Sequence, residues 1–186
     1  MKQWLGMLTV VALIAAAPVA PAGDEPGEAD QKRQEIDGVA KEALAELFES
    51  SSRARKLYEE AIGHAVFDNL KIQFLVSGGG GAGVAVDKQS GSRTYMKMGT
   101  GGIGLGLGGQ KYQVIFLFED KQTFDNFVNK GWKAETSGQA TAGTAGAGVA
   151  STFSDGMAVY QITDKGLMAS VDIAGTKYWK NKKLNR

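Results

Sequence analysis

The chain has 186 residues, enough for one ordinary domain with its own core. Its 21 basic and 20 acidic residues nearly cancel, which argues against a nucleic-acid binder, since such proteins carry a marked basic excess. With no cysteine and a single histidine, thiolate nucleophiles, disulfides and the usual metal clusters are excluded.

The N-terminus reads as a leader. Lys2 is followed by an uncharged apolar run over residues 4–17, and Ala20 and Ala22 put small residues where a signal peptidase reads them. The run falls short of the roughly 18 apolar residues of a membrane span, and an acidic stretch follows it rather than a basic one. The expectation is a signal peptide over residues 1–22, cleavage after Ala22 and a periplasmic or secreted protein. Residues 23–33 are expected to be a disordered acidic linker, with one domain over residues 34–186.

Two helices come next. Ile36, Val39, Ala40, Ala43, Leu44, Leu47 and Phe48 recur at helical spacing and make one apolar face. Serines 50–52 interrupt it and suit an N-cap. Ala54, Leu57, Tyr58, Ala61 and Ile62 form a second face, with Gly63 placed to end that helix. From Ile72 the period becomes two. Residues 72–77 and 84–86 read as strands around the glycine run 78–81, residues 88–91 as a turn, and residues 93–98 as a return strand.

From Gly102 to Gly108 every second residue is glycine, with Ile103, Leu105 and Leu107 between. In a strand this leaves one face as bare backbone, against which another element can approach closely. A valine at Gly104 would then clash. The continuous apolar run 112–118 suits a strand buried on both faces. Asp120 can cap a short helix bearing Phe124, Phe127 and Val128, with Gly131 at its end. Residues 139–149 are nearly all small and are compatible with a strand, a tightly packed helix or a loop. Residues 157–163 and 166–173 read as a hairpin, and residues 176–179 as a last strand. Helices first and antiparallel strands afterwards predict an α+β fold: a helical pair on a curved, glycine-rich antiparallel sheet that could close like a barrel.

Little of this carries chemistry. His64 reads as a helix-end residue whose charge meets the helix dipole. Residues 99–104 match the pattern G-x-G-x-x-G, but no helix can open from the glycine-rich residues that follow. An enzyme is therefore not expected, and neither is a cofactor or a metal. Two basic groups remain. Arg53, Arg55 and Lys56 open the second helix. The denser group is C-terminal, where Lys177, Lys180, Lys182 and Lys183 surround Trp179, an aromatic suited to a membrane–water interface. In an extended strand Lys177 and Trp179 point one way and Tyr178 and Lys180 the other, so these cations form one patch only if the chain bends or frays near Asn181. A lysine-protected edge strand has the same sequence signature.

The order of these motifs resembles the SYLF, or Ysc84-like, domain family, in particular its secreted bacterial branch. The resemblance runs from residues 65–67 and the glycine run 78–84 through residues 93–99, 102–108 and 114–118. It continues with Phe124 and Phe127, the small-residue stretch 139–149, Tyr160, Gly166, Leu167 and Gly175. It implies a non-catalytic domain that binds lipid, notably phosphoinositides in eukaryotic members, with actin binding in fungal ones. Transferred to an exported protein, it implies contact with an anionic lipid or membrane surface, with Lys177, Trp179, Lys180, Lys182 and Lys183 as candidate lipid-binding residues. The alternatives are a structural or protein-interaction module of the cell envelope and a carrier of a small apolar ligand. Where the family usually has a proline after the residue matching Phe67, this chain has Asp68.

Overall fold

The computed structural model describes residues 26–74, 76–102, 108–134, 152–168 and 175–186. The expected signal peptide 1–22, the alternating core of residues 103–107 with Gly104, and the stretch 139–149 lie outside them. Helix α1 (Pro26–Ser50) buries Ile36, Ala40, Ala43 and Leu47, the predicted stripe. It begins inside the stretch expected to be a disordered linker, so that expectation is corrected from Pro26 onward. Proline suits a first helical turn, Lys32 pairs with Glu35 at 2.7 Å, and the Arg33 Nε donates to the Leu184 carbonyl at 3.0 Å. The last of these ties the helix to the far end of the chain, a contact that local composition does not reveal.

Helix α2 (Ser52–Glu60) is capped by Ser51, whose hydroxyl accepts from the Ala54 N–H at 3.1 Å. Its other end departs from expectation, since Ala61 and not Gly63 is the C-cap. The Lys88 ammonium donates to the carbonyls of Tyr58 at 2.6 Å and Ala61 at 2.9 Å, supplying from a distance what a glycine cap supplies locally. Gly63 instead opens strand β1 (Gly63–Phe74). A Cβ there would meet the Phe124 ring and the Val86 carbonyl oxygen, each at 2.9 Å.

The remaining elements are β2 (Val76–Asp87), β3 (Arg93–Gly102), β4 (Gly108–Phe118), α3 (Lys121–Lys130), β5 (Trp132–Lys133), β6 (Met157–Thr163), β7 (Gly166–Leu167) and β8 (Thr176–Lys180). The glycine run 78–81 thus lies within a strand rather than between two. Asp120 caps α3 by accepting from the Thr123 N–H at 2.8 Å, and Gly131 ends it at φ 76°. The strands make one antiparallel sheet in the order β5-β8-β3-β2-β1-β4-β6-β7, so the fold is α+β. Among the described strands nothing pairs β5 with β7, and together they form a curled half-barrel.

The curl can be measured. Strands β8 and β4 stand four steps apart, about 19 Å in a flat sheet. Yet the rings of Tyr178 and Phe116 lie 5.0 Å apart, and Tyr178 reaches Phe67 of β1 at 4.6 Å. The sheet therefore wraps around its aromatic face. Two glycines of β2 permit this. A Cβ on Gly81 would collide with the Asp68 carbonyl oxygen and Asn69 Oδ1, and one on Gly83 with the Val66 carbonyl oxygen and the Phe67 ring. The inner face holds Phe67, Phe116, Phe118 and Tyr178 with Phe124 and Phe127 of α3. The outer face packs Val66, Val84, Ile115, Leu117 and Tyr160 against α1 and α2.

Candidate surface-binding site

The five candidate residues of the tail do not form one patch. Tyr178 is fully buried in the inner face, so Lys177 and Trp179 point outward, as strand alternation requires. Lys180 turns away, and its ammonium reaches Asn129 of α3 at 3.3 Å. The chain bends at Asn181, as expected, but it does not fray. The Asn181 side chain accepts from the Lys183 N–H, Leu184 is buried in the outer core, and the Asn185 amide donates to the Tyr95 carbonyl at 2.7 Å. The Tyr95 N–H returns a bond to Asn185 Oδ1 at 2.9 Å. Lys182 and Lys183 are exposed on this closed turn, not on the β8 face that carries Trp179.

Register supplies two cations that sequence proximity does not. Lys97 of β3 stands directly opposite Trp179, and Lys133 of β5 directly opposite Lys177. All four residues share the outer face, and all four are exposed. Trp179 is 39% exposed, with its ring edge lying over Gly99, where a Cβ would come within 3.1 Å of it. Lys97, Lys133 and Lys177 have neither ion pair nor hydrogen bond among the described residues. Like charges directly opposite on a sheet repel, so this is a concentration of positive potential around one exposed indole. No signal in the sequence marks Lys97 or Lys133, because each joins the patch only through strand pairing.

The other candidates have different surroundings. On α2, the Arg55 guanidinium lies over the Phe48 ring at 5.2 Å, and Arg53, Arg55 and Lys56 are exposed. A cleft of 220 Å³ opens between α1 and the sheet, rimmed by Lys32 and Lys111 but also by Glu35 and Asp68, so its charges cancel. His64 is not a helix-end cation. It is buried on β1 beside Tyr58, and burial, with the charges of Lys88 and Arg93, lowers its pKa to about 4. Its imidazole is neutral at pH 7 and has no helix dipole to meet. Among the described residues no cluster of metal-ligating side chains occurs, and no helix is long and apolar enough to cross a membrane, which leaves strand-built spans unaddressed.

Comparison with known proteins follows the same residues. The chain is 42% identical over 159 residues to Beta cell expansion factor A of Aeromonas veronii, a match covering 86% of this chain and 61% of that protein. It therefore spans less than two-thirds of that relative's length. Residues 99–186 match the Ysc84 family, described as Las17-binding protein actin regulator. That family is one of binding domains associated with lipid or actin. The resemblance read from the motifs holds as a match of residues 99–186 to the Ysc84 (SYLF) domain, a region that begins in β3 and includes β5, β8 and most of the lysine–tryptophan patch.

Proposed function

We propose that the protein binds anionic lipid surfaces, of the phosphoinositide type or another acidic headgroup, through Lys97, Lys133, Lys177 and Trp179. The observation that carries this reading is the directly opposed, unpaired lysines beside the exposed indole. An apposed anionic leaflet relieves their mutual repulsion, and the indole suits the headgroup layer. The leader 1–22 fits the same reading by exporting the protein to the cell envelope, where it acts without catalysis.

Each cation near an anionic leaflet contributes about 1 kcal/mol, so removing three weakens binding by about 100-fold. The test is sedimentation of the mature protein with phosphatidylglycerol-containing vesicles and with neutral phosphatidylcholine vesicles, across a salt series. Wild type should sediment only with the anionic vesicles and only at low salt. The triple change Lys97→Gln, Lys133→Gln, Lys177→Gln should abolish this, while Lys180→Gln, Lys182→Gln, Lys183→Gln should matter less. The reverse ranking would return the site to the tail, and insensitivity of both triples would move it to Arg53, Arg55 and Lys56. A protein that ignores vesicles altogether but pulls down an acidic protein would be the interaction module that the family description also allows.

A further inference from the structure

The cleft between α1 and the sheet and the lysine–tryptophan patch are parts of one surface. On the outer face one row of paired positions runs Gln113, Asp68, Ala82, Lys97 and Trp179. The next row runs Lys111, Leu70, Gly80, Gly99, Lys177 and Lys133. Asp68, Gly80, Ala82 and Lys111 line the cleft. Its floor therefore passes directly into the patch.

The cleft presents two opposite charges that the fold leaves uncombined. Lys32 and Glu35 of α1 satisfy each other at 2.7 Å. Among the described residues Lys111 has neither ion pair nor hydrogen bond, and Asp68 takes only the Gln113 amide, at 3.3 Å. Lys111 stands two residues along β4 from Gln113, the partner of Asp68, so the two charges are diagonal neighbours. Such positions lie about 7–8 Å apart. The surface around them is apolar or bare, with Ile36 and Val39 on the wall and Gly80 and Ala82 on the floor. Packing does not require Gly80, since a Cβ there meets only the Met98 carbonyl oxygen, at 3.7 Å. The cleft holds 220 Å³, where a single water needs only about 10–15 Å³.

One carboxylate and one ammonium at this separation suit a ligand that is itself a cation and an anion joined by a short apolar link. A primary ammonium donates to Asp68, and a phosphate accepts from Lys111. We propose that the cleft binds the zwitterionic head of an aminophospholipid, a phosphoethanolamine, with its ammonium on Asp68 and its phosphate on Lys111. A free amino acid carries the same two kinds of charge. The choice of a lipid rests on the reading of Lys97, Lys133, Lys177 and Trp179 as a membrane surface, because the two rows place the cleft beside whatever leaflet they hold. The patch attracts anionic surfaces by charge, whereas the cleft selects one head by hydrogen bonding. A phosphocholine head has no N–H and cannot make the bond to Asp68.

The probe is glycerophosphoethanolamine, titrated calorimetrically into the protein at pH 7.5 beside glycerophosphocholine and leucine. It should bind saturably at millimolar concentration, and the other two about ten-fold more weakly, for want of one charge-assisted hydrogen bond or of the phosphate. Asp68→Ala should bring the ethanolamine head down to the choline head, and Lys111→Gln should weaken both. Gly80→Val fills the floor and should abolish binding with no fall in melting temperature, because valine suits a strand better than glycine. No binding of glycerophosphoethanolamine, equal binding of the two heads, or a preference that survives Asp68→Ala overturns the proposal. Leucine binding as tightly overturns the choice of a lipid. The soluble heads carry no leaflet, so failure here with vesicle sedimentation intact rejects the cleft alone, and failure of sedimentation with head binding intact rejects the patch.

Discussion

The two faces of the curled sheet are built from the same strands and stabilised in different ways. On the outer face α1 and α2 lay aliphatic stripes over Val66, Val84, Ile115 and Leu117, a pattern that period-counting along each segment anticipates. On the inner face the rings of β1, β4, β8 and α3 meet across distances that only curling closes, with Phe116 touching Phe67, Phe118, Phe127, Trp132 and Tyr178. The outer face is a sum of local helix-on-strand contacts, whereas the inner face is one long-range assembly. Breaking them should therefore have unequal consequences. Phe116→Ala should cost about 3–5 kcal/mol and disturb every ring around it. Ala43→Gly in α1 should cost only about 1 kcal/mol. Chemical denaturation of both variants ranks the faces, and equal losses would refute the distinction.

The outer face has its own point of failure in acid. His64 is folded with its pKa near 4, against an ordinary 6.5, so the unfolded chain binds a proton more readily between those values. Stability is complete above pH 6.5 and falls as the pH drops from 6.5 toward 4, by about 3 kcal/mol in all. Urea unfolding at pH 7.5, 6 and 5 should show the decline. His64→Gln should flatten it over this range, where few carboxylates titrate. A variant with the wild-type slope would place the acid sensitivity elsewhere.

Curling itself depends on β2. Gly83→Ala puts a methyl group against backbone and ring and should cost about 1–3 kcal/mol. Gly78 and Gly101 have nothing within 4 Å of a Cβ, so alanine there should be tolerated. This is also where sequence reading and structure part company most usefully. The idea that bare glycine positions allow close approach is right for this sheet at Gly81 and Gly83, while the more regular stretch 103–107 lies outside the described residues. Regular alternation advertises a strand, while the need for a missing Cβ arises from the neighbouring strand, which the sequence does not place. Local signals survived well. Ser51, Asp120 and Gly131 cap where side-chain chemistry says they should, and residues 112–118 form a strand buried on both faces. Gly63 misled because a glycine suited to ending a helix is equally suited to passing under Phe124. Lys97 and Lys133 were illegible for the reason Gly83 was, since each acquires its role from a partner strand.

The smallest effect is the most informative about the patch. Lys133 and Lys177 face each other across β5 and β8 with no acid to separate them, an arrangement that costs stability on a sheet. Lys177→Glu puts an opposite charge against Lys133, and cross-strand pairs of that kind stabilise by about 0.2–1 kcal/mol. The variant should therefore melt slightly higher than wild type at low salt, and the gain should shrink as salt screens it. The same change removes one positive charge and adds a negative one where an anionic leaflet would sit, so vesicle binding should fall by more than it does for Lys177→Gln. A residue kept only to guard a sheet edge has no reason to oppose another lysine at a cost in stability. If Lys177→Glu lowers the melting temperature and leaves vesicle binding unchanged, the lysines protect the edge and the binding surface lies elsewhere.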